Sequence, residues 1–428
     1  MSKAWRSSAL RGWRLNVAAS ALAFATYFCM YAFRKPFAAA SYAGPAWWGL
    51  EPKTLFVISQ ILGYTVSKYL GIKWVSEVTR QGRWPMIIGL VAAAELSLLG
   101  FALLPTEGKL LALFCNGLPL GMIWGLVVRY LEGRRSSELL LAALSCSFIV
   151  ASGIVKDVGR WLLGLGVSEY WMPAAAGGLF FPALFLSASL LDRLPDPDLA
   201  DQAEREARLP MASGERRAFA ARFLPGLALL LLVYLALTAF RDFRDNYGVE
   251  LFEELGYGRE PALFSRTELP VAALVLVIMS SLSGVRERSR GLYAVFGVMT
   301  LGLVLVGLAT LALDQRWLSG QAWMIWVGLG AYLAYVPFSS FLFDRVMAAT
   351  RFAGTAVFAV NIADAVGYTG SVAMQLHKDL LVAGSSRLGY FKLFSYGLSV
   401  GGALLLVLAA AYFARQSRPA APSSALLS

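Results

Sequence analysis

Cysteine, histidine and charge are all scarce in this chain. Its three cysteines, Cys29, Cys115 and Cys146, each lie in an apolar stretch, which excludes a disulfide framework. Its one histidine, His377, excludes a histidine-rich metal centre and a histidine-based catalytic triad. No metal, cofactor or enzymatic activity is expected, because no nucleophile–base constellation is legible. Charged residues make up 15% of the 428 positions, where soluble domains carry about 25%.

What fills the space is apolar. The chain is 58% hydrophobic, with a mean hydropathy of +0.61. Apolar runs of roughly 18 or more residues, each enough to cross ~30 Å of hydrocarbon, recur along its length. The spacing predicts an all-α membrane protein with twelve spans. The first six are Leu15–Ala40, Thr54–Val75, Trp84–Leu104, Leu110–Leu131, Leu139–Leu163 and Trp171–Leu191. The second six are Phe223–Phe243, Thr267–Ser283, Leu292–Leu313, Trp323–Val346, Ala353–Leu376 and Tyr390–Phe413. The first run follows Lys3, Arg6, Arg11 and Arg14 and is too long for a signal-peptide core, so it reads as an uncleaved helix. Residues 1–191 and 223–414 form two candidate six-helix bundles. Residues 192–222 read as a charged linker and 415–428 as a disordered tail.

The net charge of +11 does not point to nucleic acid, because the basic residues sit in short loops and at the termini, where they orient a membrane protein. Arg80, Arg83, Arg134, Arg135, Arg286, Arg288, Arg290, Arg345 and Arg351 fall on alternate loops, and Arg415 and Arg418 in the tail. The loop after the seventh span is acidic, with Glu250, Glu253, Glu254 and Glu260. Both termini and the linker are therefore expected in the cytoplasm, with the chain a multi-pass, monomeric protein of the inner membrane.

Against this background two arginines stand out. Ala32-Phe33-Arg34-Lys35 in the first span and Ala239-Phe240-Arg241-Asp242 in the seventh repeat one word. They lie at matched depths, ~30 Å and ~28 Å of helix beyond Arg14 and Arg222. A guanidinium at membrane depth costs at least ~2.5–3.5 kcal/mol and marks a functional-site candidate. Tyr27 and Tyr31 share a helical face with Arg34. Their hydroxyls could help hold an anion drawn by the two cations; interfacial packing is the alternative. Lys68, Glu95 and Asp364 fall near mid-span. Glu95 is expected to hydrogen-bond a neighbouring helix, and Glu268 to sit at the interface. Gly117, Gly121 and Gly125 form a small-residue stripe suited to close helix packing. Pro119 and Pro337 are candidate kinks.

Six plus six helices with a long middle loop is the plan of the major facilitator superfamily, whose halves are repeats with a site between them. Within it, several words resemble the organophosphate:phosphate antiporters. They are Tyr31-x-x-Arg34-Lys35-x-Phe37, Ser67-Lys68-Tyr69, Gly121-Met122-x-Trp124 with Arg129, and Arg241 itself. Tyr335-x-Pro337, Ala353-Gly354-Thr355-Ala356, Gly367-Tyr368 and Gly370-Ser371-Val372-Ala373 follow in order. The resemblance implies that Arg34 and Arg241 grip a phosphate, with Lys68 nearby, while one half rocks against the other. The implied partner is a small anionic solute, and the implied function is its secondary transport. A membrane sensor that binds such a solute without moving it is the alternative.

The chain also departs from that family. Phe148 stands where the family has a histidine. Helix 7 adds Asp242 and Asp245, and Asp245, four residues from Arg241, predicts an intrahelical ion pair. Lys156 and Asp157 add a further charge pair in helix 5. Asp364 reads either as the partner of Lys68 or as a proton carrier, with Asn361 one turn away to orient it. Asp364, Asn361, Asp245, Lys156 and Asp157 are thus the coupling or gating candidates.

Overall fold

The structure, a computed structural model, describes residues 3–42, 44–131, 137–196, 213–258, 260, 262–285, 287–350, 356–382 and 385–417. Most of the expected linker and tail, Arg134, Arg135, Arg286, Arg351, Arg418, residues 353–355 and the side chain of Asn361 lie outside the described residues.

Twelve long helices are present among them. The first six are α1 (Lys3–Tyr31), α2 (Pro52–Glu77), α3 (Arg83–Leu103), α4 (Thr106–Leu131), α5 (Ser137–Gly164) and α6 (Met172–Asp192). The second six are α7 (Ser213–Asn246), α8 (Leu263–Ser283), α9 (Arg288–Asp314), α10 (Gly320–Ser340), α11 (Ala356–Leu376) and α12 (Arg387–Gln416). Nine of them are long and apolar enough over their described residues to cross a membrane. There is no strand among the described residues, only an isolated bridge between Trp47 and Leu50. The architecture is the all-α major facilitator fold.

Helix pairings repeat with an offset of six. In the first set α2 packs on α4, α3 on α4 and α6, and α1 on α5 and α6. In the second, α8 packs on α10, α9 on α10 and α12, and α7 on α11 and α12. The two sets meet where α2 faces α11 and where α5 faces α8 and α10. Between helices in lipid, close van der Waals packing replaces the hydrophobic drive, so small residues set the approach. The glycine stripe of α4 does this against α2: a Cβ on Gly117 would stand 2.1 Å from the Gln60 carbonyl oxygen. One on Gly63 of α2 would stand 2.0 Å from the Phe114 carbonyl oxygen, so neither position admits a side chain.

Three expected spans differ in detail. The first does not run on to Ala40; its α-helix ends at Tyr31, and a 3₁₀ turn follows at Pro36–Ala39. Pro36 has no N–H to continue the helical ladder. The intervening turn closes with Arg34 N and Lys35 N both donating to the Tyr31 carbonyl, at 3.0 and 2.9 Å. Arg34 therefore lies just beyond a helix end, whereas Arg241 lies inside α7. The tenth span is two helices, Gly320–Ser340 and Leu342–Thr350, broken at Phe341 (φ −127°) one turn past Pro337. Pro119, by contrast, is carried inside an unbroken α4. The twelfth contains a π turn at Leu398–Gly402. The acidic stretch after α7 folds as a short helix, Gly248–Glu254.

Candidate functional site

The break in α1 is held from behind by two buried amides. The Asn116 side chain, on α4, donates to the carbonyls of Phe33 (3.0 Å) and Ala94 (3.1 Å). The Gln60 side chain, on α2, donates to the Arg34 carbonyl (3.0 Å) and to the Asn116 side-chain oxygen (2.8 Å). Carbonyls freed from a helical ladder need such partners, since an unpaired polar group in a dry interior is costly. The seat sends Lys35 across the interface to Asp245 and Asn246 of α7 and sets Arg34 between Tyr64 of α2 and Tyr368 of α11.

Arg34, Lys35, Tyr31, Phe148, Ser152, Arg241, Asp242, Asp245 and Tyr332 line one narrow cavity of about 10 Å³, room for about one water, between the two sets of helices. Arg34 is 3% exposed, yet among the described residues its guanidinium has no hydrogen-bond acceptor and no carboxylate partner. It lies 3.9 Å over the Tyr64 ring and 5.9 Å from the rings of Tyr31 and Tyr368. Arg241 stacks over Tyr335 at 4.2 Å, donates to Asp242 at 2.8 Å, and is 5.9 Å from the Phe148 ring. Asp242 also accepts from Ser371 at 2.7 Å.

The intrahelical pair expected between Arg241 and Asp245 is absent. Asp245 instead takes Lys35 at 2.5 Å and Lys156 at 2.8 Å, and accepts a hydrogen bond from Ser152. Two ammonium groups brought in from α5 and the α1 break outcompete one guanidinium a turn away. Lys156 and Asp157 likewise do not pair with each other. Lys156 reaches Asp245, while Asp157 accepts from the backbone N–H groups of Phe264 (3.3 Å) and Ser265 (2.7 Å) at the start of α8. Among the residues that line the cavity, three cations (Arg34, Lys35, Arg241) thus face two carboxylates (Asp242, Asp245), an excess of one positive charge, and Lys156 adds a fourth cation behind Asp245.

Lys68 and Tyr27 are placed elsewhere. Lys68 pairs with Asp364 across α2 and α11 at 2.9 Å. Asp364 also accepts from the Tyr234 hydroxyl at 2.5 Å, and that hydroxyl oxygen lies 2.9 Å from the hydroxyl of Tyr335, whose ring lies beneath Arg241. Tyr27 packs edge-on against Tyr31 and Trp124 rather than lining the cavity. Glu268 is not interfacial: it is buried and pairs with Arg244 at 2.7 Å, in contact with α5 at Gly153. Glu95, expected to find a partner on a neighbouring helix, has none, and its Oε2 is buried.

Sequence reading passed over Gln60, Asn116, Tyr64 and Tyr332, and named Lys35, Tyr335 and Tyr368 only within the words of the resemblance, with no place at the cavity. The available signal was polarity: Gln60 and Asn116 are amides set within otherwise apolar helices, and Lys35 adjoins Arg34.

Solved structures similar to this chain include membrane transporters. A D-xylose–proton symporter superposes with a TM-score of 0.63 at 12% identity, covering 94% of this chain and 97% of its own. A mutant of the nucleoside transporter NupG gives 0.57 at 13%, covering 94% and 100%. A mutant of the peptide transporter POT in complex with sulfate gives 0.59 at 14%, covering 95% of each. These identities establish the shared fold alone. No curated protein matches in sequence. The class is therefore a multi-pass membrane protein of the major facilitator fold. Within that class, the chain belongs to the family of unknown function DUF5690, matched over residues 36–416.

Proposed function

We propose that this protein is a secondary transporter of a small anionic organic solute, with an organophosphate as the solute class and Arg34 and Arg241 as the anion grip. The observation that carries the reading is Arg34: a buried guanidinium with no acceptor, opening on a cavity shared with Arg241 and Lys35. Burying an unpaired charge is expensive, so a site that keeps one gains most when an anion arrives. A guanidinium fork fits phosphate or carboxylate oxygens through paired N–H donors. The excess of positive charge among the lining residues suits an anion.

Residues 1–191 and 223–414 act as the two moving bundles, joined by the 192–222 linker, in a single chain of the inner membrane with both termini in the cytoplasm. In that orientation one group of polar contacts between bundles sits at the outer end, beyond those at the cavity and between Lys68 and Asp364. The outer group includes Lys53 with Glu250 (2.6 Å), Thr54 with Tyr247 (3.0 Å) and with Asp379, and Arg387 with Glu51. The conformation is closed towards the outside, as one state of an alternating-access cycle requires.

The test is a thermal-shift titration with inorganic phosphate and glycerol 3-phosphate, followed by counterflow in proteoliposomes. A ligand of the native state raises apparent stability by mass action. Arg34→Lys and Arg241→Lys should each lose most of the shift, because an ammonium cannot make the bidentate contact. Normal shifts in both variants refute the grip. Binding without flux marks a sensor instead.

A further inference from the structure

Glu95 is a half-buried acid, with its Oε2 fully buried, that the anion cavity does not use. It sits near the middle of α3, a helix of 21 residues with hydropathy 2.2, and neither of its oxygens has a hydrogen-bond partner among the described residues. The carboxyl lies in a notch of α6 formed by two consecutive glycines. A Cβ on Gly177 would stand 2.1 Å from Glu95 Oε2 and 3.0 Å from the Phe33 ring, and one on Gly178 would stand 3.8 Å from Oε1. The helix backbone is thus cut away where the carboxyl enters. A bulkier residue at position 177 would evict it.

The charged groups of the packed elements are all turned away. On α6 the only charged residue is Asp192, at the far end, bound to Arg80. On α4 the charged residues lie near the two ends: Glu107 and Lys109 at one, with Lys109 donating to the Phe101 carbonyl, and Arg129 at the other, bound to carbonyls of Val75 and Val78. On the α1 side, Arg34 faces Tyr64, and Cys29 carries a buried free thiol. A carboxylate with no donor in hydrocarbon is far costlier than a neutral acid, which loses only hydrogen bonds.

We propose that Glu95 is a proton-binding site: in this conformation the notch between α3 and α6 holds it as the neutral acid. Its ligand is a proton, taken and released without entering the anion cavity. The site adjoins the α1 break through two contacts. Phe33, the residue before Arg34, walls the notch. Ala94, the residue before Glu95, shares the Asn116 amide with the Phe33 carbonyl. Ionisation requires a donor or water, which the notch withholds from Oε2 and surrounding hydrocarbon withholds from Oε1, so loss of the proton goes with movement of α3, α6 or the break.

The test is infrared spectroscopy of the full-length protein in detergent or lipid, as the difference between wild type and Glu95→Gln. At neutral pH the difference should contain the C=O stretch of a carboxylic acid, lost in the variant. Carboxylate stretches in its place would show an ionised Glu95 and overturn the proposal. A second measurement needs no variant. Dicyclohexylcarbodiimide reacts with the acid form, because the acid's proton passes to a carbodiimide nitrogen as the carboxyl oxygen adds to the central carbon. Peptide mass spectrometry of wild type should find the adduct on Glu95, with labelling falling at least tenfold as alkaline pH ionises the acid. Labelling that is absent, or unchanged with pH, overturns the proposal. Neither measurement involves phosphate, so a negative result here leaves the anion-site reading untouched.

Discussion

Replacing Asn116 by alanine tests whether the α1 break is a built feature of the site. Asn116 is fully buried and joins two backbone carbonyls and a side-chain amide: it donates to the carbonyls of Phe33 and Ala94 and accepts from the Gln60 side chain. Its loss strips the Phe33 carbonyl, which lies beyond the end of α1, of this partner. An orphaned buried carbonyl costs about 1–3 kcal/mol, and each of the two other hydrogen bonds about 0.5–1.5 kcal/mol. The sum is roughly 2–6 kcal/mol of destabilisation. Thermal unfolding in detergent measures it against Ser97→Ala, which removes a hydroxyl bonded only within α3 and should cost under about 0.5 kcal/mol. The functional consequence is separable. With the break loosened, Arg34 no longer starts in its gripping orientation, and phosphate affinity should fall about tenfold, or ~1.4 kcal/mol. An Asn116→Ala protein that melts with wild type and keeps the wild-type phosphate shift refutes the reasoning at both levels.

Two further outcomes follow from the contacts between bundles. Asp364→Asn leaves the Lys68 ammonium buried without its counter-charge and should destabilise the protein by about 3–5 kcal/mol, while Lys68→Met with Asp364→Leu recovers most of that loss in a thermal melt. Gly153→Ala places a Cβ 2.9 Å from the Phe264 carbonyl oxygen and 3.0 Å from the Glu268 Cβ. It should wedge α5 from α8 and raise the reactivity of a cysteine placed at Ser265 toward an impermeant maleimide added outside; unchanged reactivity would show that the contact does not hold the outer side closed.

The spans were legible because hydrocarbon-length apolar runs are a local property of composition. Their breaks were less so. The proline at position 36 was in view, yet the run continues to Ala40 in hydropathy, and only the backbone geometry shows α1 ending at Tyr31. The two arginines were visible as a repeated word, and the structure brings both to one cavity. Lys68 shows the opposite case. Its mid-span charge was plain, but its distance from the cavity depended on a carboxylate from α11.

Sequence by itself determined that this chain is a helical membrane protein in two similar halves, and that each half carries an arginine at one register. Those facts need only the order of residues along a helix. The tertiary structure alone decided which cation is neutralised. Asp245 is four residues from Arg241, but it is held by Lys35 and Lys156, and Arg34 is left without a carboxylate. Coulomb attraction follows distance in space, and in a medium of low dielectric the nearest pair of ammonium groups prevails over the neighbour in sequence.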